Sequence, residues 1–568
     1  MQAAATIVRR LVSTRSSRGA RCITSVVQDP GIPDFDVKNE PLLGYLAGSQ
    51  ELQQLEAALQ KHGSAVADVP IVIGDEEIRT DLVRYQPRPH DHKNPVAKFY
   101  HATPEVVQKA IDNSLSVRET WEKVPLAEKI AIFHRAADLM ATKYRMDLNA
   151  TTMLGQSKTI IQAEIDAAAE LVDFLRFNAF FAKELCKWQP ISEDRSVTKN
   201  SMRMRGLEGF VAAVSPFNFT AIGGNLASAP ALMGNVVVWK PSDTAVLSNY
   251  TAYRILREAG MPPGVINFVP ADGPVYGDTV TASPHLAVVN FTGSVPTFQH
   301  LWKQVGNNIA SYHSFPRLVG ECGGKNYHFI HPSADAATVA PATMRSAFEF
   351  GGQKCSACSR MYVPRSRWDE IRSRMLDIHK EIRVGDPLKK ETFYGAVIDE
   401  KAFKRIQSYI EHAKSSPNLE VIAGGGCDSS VGYFVEPTIV VSRDPDERIL
   451  QEEIFGPVLS VFVYEDGQEA ATLEMIGRCP YALTGAVFSQ DQAFAEFALE
   501  KMKMTCGNFY INDKSTGSVV GQQPFGGGRI SGTNDKAGGP HYMLKYCSPQ
   551  AVKETFVPLT EWKYPYME

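Results

Sequence analysis

The chain has 568 residues, of which 44% are hydrophobic and 21% are charged, and its formal net charge at pH 7 is -4. This composition is typical of folded globular proteins, and the length suits about two to four domains. The absence of a net positive charge argues against nucleic-acid binding. Nine cysteines, an odd and sparse number, do not indicate a disulfide framework. No run of about 18 apolar residues is present, so we expect no membrane insertion.

The first 28 residues differ in composition from the remainder. Arginine and serine are frequent there, and no acidic residue precedes Asp29. This pattern is typical of a mitochondrial transit peptide over residues 1–28, and the alternative is a basic tail without a targeting role. The first interpretation predicts a protein of the mitochondrial matrix, whose reducing interior suits an intact cysteine thiol.

The next part of the chain is predicted to be mainly helical. Residues 29–60 are mixed in composition and rich in proline, and we expect a wrapping arm there. Apolar residues then recur at helical spacing over 106–115 and 130–144, which predicts two amphipathic helices. A longer helix, rich in alanine and leucine, is expected over about 158–185.

From Gly209 onward the pattern changes to short apolar runs separated by glycine and proline. A first series of strands is predicted at 210–214, 236–239, 265–269 and 287–291, with a helix at 249–259. A second series is predicted at 327–330, 360–363, 459–464 and 486–489. Strands that alternate with helices predict an α/β fold with parallel sheets and right-handed connections.

Two residues suggest covalent catalysis. Cys355 lies in a loop of small residues, and Glu321 lies 34 positions earlier at the head of a Glu-Cys-Gly-Gly-Lys-Asn turn. A thiol and a separate carboxylate are the parts needed for a cysteine nucleophile and a general base. Either residue alone is a weak signal, since most cysteines are simply buried. The Cys355-x-x-Cys358 pair has no second pair of ligands nearby, so no metal site is predicted.

Seven short motifs give these two residues a context. They begin at Ser215 (Ser-Pro-Phe-Asn-Phe), Trp239 (Trp-Lys-Pro-Ser), Phe291 (Phe-Thr-Gly-Ser), Glu321 (Glu-Cys-Gly-Gly-Lys-Asn), Gly352 (Gly-Gln-Lys-Cys), Glu452 (Glu-Glu-Ile-Phe-Gly-Pro) and Pro524 (Pro-Phe-Gly-Gly). Their order and spacing resemble those of the aldehyde dehydrogenase superfamily, from about residue 60 to near the C-terminus.

This resemblance implies a domain organisation. An NAD-binding α/β domain is expected over 61–186 and 208–324, and an α/β catalytic domain over 325–525. Segments 187–207 and 540–568 correspond to the β-hairpin and C-terminal tail that pair with a neighbouring subunit in this family. The resemblance therefore also implies a homo-oligomer, a dimer or larger.

NAD is the cofactor that the resemblance implies. Lys240 follows a predicted strand at the carboxyl edge of the sheet, where such sheets bind ligands, and would contact the adenine ribose. The alternative for Lys240 is a solvated strand end. Asp243 lies near the position of a ribose-binding carboxylate that disfavours NADP. Ser215 belongs to the same cofactor set, and Glu453 resembles the carboxylate that holds the nicotinamide ribose.

A further cofactor segment follows the predicted strand that ends at Phe291. A Gly-x-Gly-x-x-Gly fingerprint is missing after the first strand of the sheet. A glycine and small hydroxyls before a helix can instead present backbone N–H groups to a pyrophosphate. The residues that resemble the family's phosphate loop are Gly293, Ser294, Val295, Pro296 and Thr297.

The resemblance also implies the chemistry. The Cys355 thiolate would attack an aldehyde carbonyl, and the amide of Asn218 with the Cys355 N–H would hold the oxyanion. Hydride would pass to NAD and leave a thioester, which water activated by Glu321 would hydrolyse to an acid. Glu321 is a candidate for deprotonating the thiol as well. The alternative for Asn218 is a cap of its own turn.

Within the superfamily the chain most resembles the branch that oxidises L-glutamate γ-semialdehyde, the open form of 1-pyrroline-5-carboxylate. Segments 321–329, 354–360, 511–518 and 526–540 carry this resemblance. It places Ser518, Ser356 and the backbone of Gly517 at the substrate carboxylate. Phe219 and Phe525 would flank the aliphatic chain, and their alternative is a role in the core.

Three other functions are weighed against this one. An enzyme for succinic or methylmalonic semialdehyde would not need the 516–518 loop to frame an α-amino acid. A non-catalytic binding protein would not need Cys355, Glu321 and Asn218 to be intact together. A thiol esterase would not need Lys240 or Glu453.

Overall fold

The computed structural model describes residues 31–568, so the predicted transit peptide lies outside the described residues. Two seven-stranded sheets dominate the fold. The strands of the first sheet lie between residues 71 and 321, and those of the second lie between residues 327 and 511. We call them the N-terminal sheet and the C-terminal sheet. The predicted α/β class is confirmed.

The N-terminal sheet is parallel over its first five strands and antiparallel over its last two. In spatial order its strands are Arg317–Glu321, Leu286–Thr292, Phe210–Val214, Val236–Lys240, Ile266–Phe268, Ile71–Ile73 and Glu76–Ile78. Residues 531–533 cover the free edge of the first of these strands, where Thr533 N donates to Gly320 O at 2.9 Å. The edge that carries Glu321 is thus closed by residues from the far end of the chain.

Helices bury both faces of this sheet. Side chains of Phe210–Val214 alternate between two hydrophobic clusters, and because both are buried the strand reads as a continuous apolar run. The helices on one face are Pro104–Lys123, Gly273–Ala282 and Val295–Asn307. Those on the other face are Leu126–Ala141, Glu170–Cys186, Thr220–Leu232 and Val246–Glu258.

The C-terminal sheet is parallel except for one antiparallel edge strand. In spatial order its strands are Leu419–Ala423, Thr438–Ser442, Val458–Tyr464, Arg360–Pro364, Tyr327–Ile330, Thr484–Phe488 and Asn508–Ile511. The helices packed on it are Ala336–Phe348, Arg365–Glu381, Glu400–Ser415, Glu469–Gly477 and Gln492–Lys501.

Smaller elements complete the described part of the chain. Strands Ala67–Val69, Asp91–Tyr100 and Val83–Arg88 form a three-stranded sheet. The remaining elements are helices Gln50–Gly63, Arg145–Gln156, Ile160–Ala163, Arg448–Gln451 and Pro540–Leu544, the π-helix Glu164–Ala169, 3-10 turns Asp243–Ala245, Ile309–Ser311, Glu349–Gly352 and Pro565–Met567, and strands Cys427–Asp428, Phe434–Val435, Tyr481–Ala482 and Gly528–Arg529. No helix within residues 31–568 is long and apolar enough to cross a membrane.

The segment expected to form a hairpin, 187–207, contains a single strand. This strand, Thr198–Arg205, pairs antiparallel with Ser548–Thr555 over eight residue pairs. We call the two strands the terminal ribbon. The strand therefore pairs with the predicted tail of the same chain, and not with a second strand inside the segment 187–207.

The predicted arm and long helix differ in detail from the structure. The arm is irregular only as far as Ser49, whose side chain caps the helix Gln50–Gly63 by accepting from Leu52 N at 3.3 Å. Apolar side chains of that helix bury against Arg145–Gln156, which the proline-rich context of the arm does not indicate. The predicted helix 158–185 is interrupted by the π-helix Glu164–Ala169.

Candidate active site

A cavity of about 300 Å³ is the central feature of the site. Its wall is formed by the ends of N-terminal-sheet strands, the helix Glu170–Cys186, and loops that adjoin the C-terminal sheet. We call it the central cavity. The predicted residues on its wall are Cys355, Glu321, Ser356, Gly517, Ser518, Phe219 and Phe525. Two of the three catalytic candidates and all five substrate candidates are therefore brought together, while the third, Asn218, is not one of the residues that line the cavity.

A tight turn places Cys355 on the cavity wall. Phe350, Gly351 and Gly352 all have positive φ, at 52°, 60° and 67°. A side chain at Gly352 would place its Cβ 2.3 Å from the carbonyl oxygen of Gly456, so glycine is required there. Left-handed backbone at Phe350 is strained, and such strain is concentrated at functional sites.

Glu321 lies beside the thiol at the end of strand Arg317–Glu321. Cys355 Sγ donates to Glu321 Oε1 at 3.8 Å. Burial raises the pKa of Glu321 to about 7, against the opposing effects of the thiol hydrogen bond and of Lys536. Burial also raises the pKa of Cys355 well above its usual value, and the charges of Glu321 and Glu453 add to this. A protonated thiol thus faces a base with a pKa near neutrality, as proton transfer requires.

Asn218 contacts the loop that carries the nucleophile. It is 3% exposed, and its Nδ2 donates to the carbonyl oxygen of Gln353 at 3.1 Å. The amide therefore reaches across to the turn before Cys355. An amide has two N–H donors, and this bond uses one of them. The second N–H has no partner among the described residues, as the predicted role of oxyanion donor requires.

Another part of the wall of the central cavity is formed by residues 514–520, all of which line it except Ser515, and we call this segment the 514–520 loop. Gly517 has a φ of 90°, which favours glycine. Ser515 N donates to His328 Nε2 at 3.1 Å, and the hydroxyls of Thr516 and Ser356 are 2.7 Å apart. The residue that follows the nucleophile is thereby joined to this loop.

The two predicted aromatic residues of the substrate site, Phe219 and Phe525, are held by different contacts. The ring of Phe219 lies 4.4 Å from Lys158 Nζ, a cation–π contact. The backbone N–H of Phe525 donates to Ala537 O at 2.8 Å. Both side chains are on the wall of the central cavity, as expected for residues that flank a substrate chain.

A buried polar group beside the cavity was not predicted from the sequence. Lys158 is fully buried and pairs with Asp166, which also lies 3.7 Å from Lys354 Nζ. Glu170 is on the cavity wall, and burial together with the charge of Asp166 raises its pKa well above its usual value. The available signal was the presence of acidic residues within a helix that is otherwise alanine-rich and apolar.

The predicted cofactor residues lie at the carboxyl edge of the N-terminal sheet. Ser215 and Lys240 end adjacent strands, and Ser215 N donates to Lys240 O at 3.0 Å. The Ser215 hydroxyl accepts from Trp239 Nε1 at 2.6 Å. Burial lowers the pKa of Lys240, while Asp243 and Asp272 act against this shift. Asp243 itself accepts from His101 Nε2 at 2.9 Å.

The segment 293–297 leads into the helix Val295–Asn307. Gly293 N donates to Glu321 O at 3.1 Å, which ties this loop to the strand of the predicted base. Ser294 caps the helix by accepting from Thr297 N at 3.4 Å, while Val295 packs into the core. Ser294, Pro296 and Thr297 are exposed, so the positive end of the helix dipole faces outward. The N–H groups of Gly293 and Thr297 are already bonded and Pro296 has none, so a phosphate group would be held by the remaining N–H groups at this end of the helix.

Glu453, the residue predicted to hold the nicotinamide ribose, contacts the turn 321–326 that begins at Glu321. Its Oε1 accepts from Gly324 N at 2.9 Å. A Cβ at Gly323 would lie 1.9 Å from its Oε2, so the carboxylate occupies the space that a glycine leaves. Burial raises the pKa of Glu453 to about 7. In the described part of the chain, no cluster of His, Cys, Asp and Glu side chains is arranged to hold a metal ion.

Comparisons with known proteins agree with this geometry. The model of the aldehyde dehydrogenase family matches residues 80–552. A Homo sapiens protein named delta-1-pyrroline-5-carboxylate dehydrogenase, mitochondrial, is 59% identical over 534 residues, 94% of this chain and 94% of its own. A Danio rerio protein of the same name is 58% identical over 94% of this chain and 96% of its own.

Solved structures give the same result. The Mycobacterium tuberculosis delta-pyrroline-5-carboxylate dehydrogenase bound with NAD superposes with a TM-score of 0.91, at 44% identity over 95% of this chain and 99% of its own. The Thermus 1-pyrroline-5-carboxylate dehydrogenase with bound NAD has a TM-score of 0.86, at 30% identity over 92% of this chain and 100% of its own. The chain belongs to the aldehyde dehydrogenase family.

Proposed function

We propose that this chain oxidises L-glutamate γ-semialdehyde, formed from 1-pyrroline-5-carboxylate, to L-glutamate with NAD as the hydride acceptor. One observation carries the proposal: the Cys355–Glu321 pair and the 514–520 loop lie on the wall of one cavity. A nucleophile at one position and polar groups for a carboxylate at another suit an aldehyde with an amino acid head. The names of the relatives support this substrate.

Substrate binding uses the polar and aromatic walls of the central cavity. Ser356, Ser518 and the Gly517 N–H hold the α-carboxylate by hydrogen bonds. Phe219 and Phe525 enclose the short aliphatic chain and exclude water. The carbonyl carbon must be accessible to the thiol, so the open semialdehyde, and not the cyclic imine, is the reacting form.

The first chemical step moves one proton and forms one bond. Cys355 gives its proton to Glu321, and its sulfur adds to the carbonyl carbon to form a thiohemiacetal. The new oxyanion accepts hydrogen bonds from the free N–H of Asn218 and from the Cys355 backbone. One such donor is worth about 3 kcal/mol in the transition state.

Ser215, Lys240, Glu453 and the 293–297 segment would hold NAD at the carboxyl edge of the N-terminal sheet. Bound NAD would supply the hydride acceptor that lets the tetrahedral adduct on Cys355 become a thioester. Residues 61–186 and 208–324 form the cofactor-binding domain in this proposal, and residues 325–525 form the catalytic domain that carries Cys355. Glu321 and Asn218 enter the site from the first domain, and Glu453 enters the cofactor site from the second. Asp243 is positioned to favour NAD over NADP, because a carboxylate repels a 2′-phosphate.

Glu321 completes the reaction. After hydride transfer Glu321 releases to solvent the proton that it took from Cys355. Its pKa of about 7 then allows it to take a proton from water near neutral pH, and the resulting hydroxide equivalent attacks the thioester carbonyl. Collapse of that adduct expels the Cys355 thiolate and releases L-glutamate. The same carboxylate serves both half-reactions, one before and one after hydride transfer.

The chain is a mitochondrial protein, as its relatives are named, and the matrix is the compartment we propose. Self-association through the terminal ribbon is also part of the proposal. Large apolar side chains near the ribbon are exposed, and a second subunit would cover them. They are Trp188, Ile191, Val557, Leu559 and Trp562.

NADH formation with L-pyrroline-5-carboxylate and with succinic semialdehyde tests the proposed function. We expect the wild type to prefer the first substrate strongly and the Cys355→Ala variant to lose activity with both. A preference for succinic semialdehyde would retain the mechanism and refute the substrate. Activity that survives in the variant would refute the nucleophile.

A further inference from the structure

The irregular arm before residue 49 forms part of the wall of the central cavity. Asn39, Glu40 and Leu42 line it, together with the 514–520 loop and the helix Glu170–Cys186. The arm is distant in sequence from every other part of the site. Its presence there calls for an explanation beyond a surface wrap.

Asn39 links the helix Glu170–Cys186 to the 514–520 loop. Its Nδ2 donates to Asp173 Oδ2 at 2.8 Å and to the carbonyl oxygen of Val520 at 2.9 Å. Its Oδ1 accepts from Gln522 Nε2 at 2.8 Å. The Asn39 side chain thus uses both its NH₂ group and its carbonyl oxygen to hold the end of the 514–520 loop against the helix Glu170–Cys186.

The arm is itself held firmly, so Asn39 has a fixed base. Glu40 accepts from Arg145 at 2.5 Å and from Arg176 at 2.7 Å, and Glu40 N donates to Asp173 Oδ1 at 2.6 Å. Tyr45 OH donates to Glu164 Oε2 at 2.6 Å. Arg145 and Glu164 are nearly fully buried, which makes these contacts costly to break.

The 514–520 loop needs such support because it is not part of a sheet. It contains Gly517 and precedes Gly521, both with positive φ, and glycine gives a loop conformational freedom. His328 fixes one end of the loop through Ser515 N. Asn39 fixes the other end through Val520 O. The donors proposed for the carboxylate, Gly517 N–H and the Ser518 hydroxyl, lie between these two fixed points.

We propose that Asn39 is a positioning residue that sets the 514–520 loop for recognition of the substrate carboxylate. This inference rests on the proposed function. Asn39 acts through the loop and takes no part in the chemistry at Cys355. It therefore determines selectivity for aldehydes that carry a carboxylate and leaves the intrinsic aldehyde oxidation unchanged.

The test compares two aldehydes in wild type and Asn39→Ala. L-Pyrroline-5-carboxylate requires the loop, whereas pentanal has a similar carbon chain without the charged head. Loss of a hydrogen bond of this kind weakens an equilibrium constant about tenfold. We expect the KM for L-pyrroline-5-carboxylate to rise about tenfold, with kcat nearly unchanged and with kcat/KM for pentanal unchanged.

Two further variants separate positioning from stability. Tyr45→Phe removes an arm contact that does not involve the loop, and both substrates should be oxidised as by the wild type. Gln522→Ala removes the exposed partner of Asn39, and it should raise the KM for L-pyrroline-5-carboxylate by a smaller factor than Asn39→Ala. This variant keeps the test available if Asn39→Ala fails to fold. Melting temperatures of all variants monitor the fold.

The outcomes are distinct. Equal losses with both aldehydes in Asn39→Ala and Gln522→Ala, or no change in KM, would overturn the positioning role. A wild type that does not prefer L-pyrroline-5-carboxylate over pentanal would overturn the proposed substrate itself, and the positioning role with it. A selective rise in KM that is absent in Tyr45→Phe supports the inference.

Discussion

The Cys355 thiol donates a hydrogen bond to Glu321 Oε1 over 3.8 Å, so the proton that the nucleophile must lose already points at a carboxylate. Burial raises the pKa of both groups, because neither charge is well solvated there. We therefore expect the thiolate to form during the reaction and not to be present in the resting site. This relationship underlies the first three predictions.

Replacement of Cys355 by alanine should abolish NADH formation. Within the described part of the chain, no other thiol lines the central cavity. Cys358→Ala is the matched control: Cys358 is a buried thiol three positions further along, and its Sγ faces the carbonyl oxygen of Arg360. Steady-state NADH formation measures both variants. Equal losses in the two would point to packing and not to nucleophilic chemistry.

Glu321→Gln should separate the two half-reactions. Hydrolysis of the thioester loses its base, and general bases contribute about 10²- to 10⁴-fold. We expect kcat to fall by that factor while the acyl-enzyme accumulates. Rapid quenching followed by mass measurement of the intact protein detects the acyl group on Cys355. An unmodified protein during slow turnover would show that the variant is limited by loss of the base at thiol deprotonation and not at thioester hydrolysis.

The pH dependence of kcat/KM should report Glu321. Its carboxylate is the active form, so the rate should rise with pH up to about 7 and level off above it. Below that pH the group is protonated and cannot accept a proton. Initial rates from acidic to weakly basic pH give the profile, and the inflection should disappear in Glu321→Gln. An inflection that persists in that variant would assign it to another group.

Asn218→Ala should lower kcat about 10²- to 10³-fold with a small change in KM, since an oxyanion donor acts mainly in the transition state. Asn218 also holds Gln353 O, so a loosened nucleophile loop is the competing cause. The rate at which the Cys355 thiol reacts with iodoacetamide distinguishes the two. An unchanged alkylation rate with reduced kcat supports oxyanion stabilisation, and a changed rate contradicts it.

His328 should make stability depend on acid pH. It is fully buried between Thr343 and Ser515 N, and burial lowers its pKa to about 3. An unfolded histidine has a pKa of about 6.5 and binds the proton more tightly. The stabilisation is present above about pH 6.5 and is lost as pH falls towards 3, by about 5 kcal/mol in all.

Melting temperatures over this pH range measure the effect. His328→Gln should be less stable than the wild type at neutral pH and should show a shallower loss between pH about 6.5 and about 4. His300→Gln, at an exposed histidine, is the matched control and should follow the wild type. Parallel curves for wild type and His328→Gln would contradict the role of His328.

The parallel sheets could be predicted from the sequence because their strands are buried on both faces. Phe210–Val214 and Tyr327–Ile330 have the predicted bounds, since an apolar run that ends at a glycine, a proline or a polar turn marks a buried strand. The structure also brings the predicted nucleophile and base, Cys355 and Glu321, into contact. Their loops contain glycines with little freedom to vary, and Gly352 illustrates why.

The parts that could not be predicted depend on contacts between distant segments. Asn39 meets Val520 across 481 positions, and no local pattern marks an asparagine in an irregular arm as part of a site. Asp166 lies within the π-helix and Glu170 directly follows it, and both line the central cavity. The wider turn of a π-helix changes which residues share a face, so α-helical spacing does not predict this pair. The terminal ribbon likewise pairs strands whose partners only the tertiary fold selects.

The closure of the Glu321 strand by residues 531–533 has a consequence for the order in which the protein matures. Cys322 N donates to Ser531 O at 2.8 Å, so the strand that carries the base is flanked by a segment that leaves the ribosome, or an import channel, more than two hundred positions later. Until then the strand has an unpaired edge, which is a site for wrong pairing with other chains. Chaperone binding during delivery of the last part of the chain is thus expected to protect the catalytic edge itself.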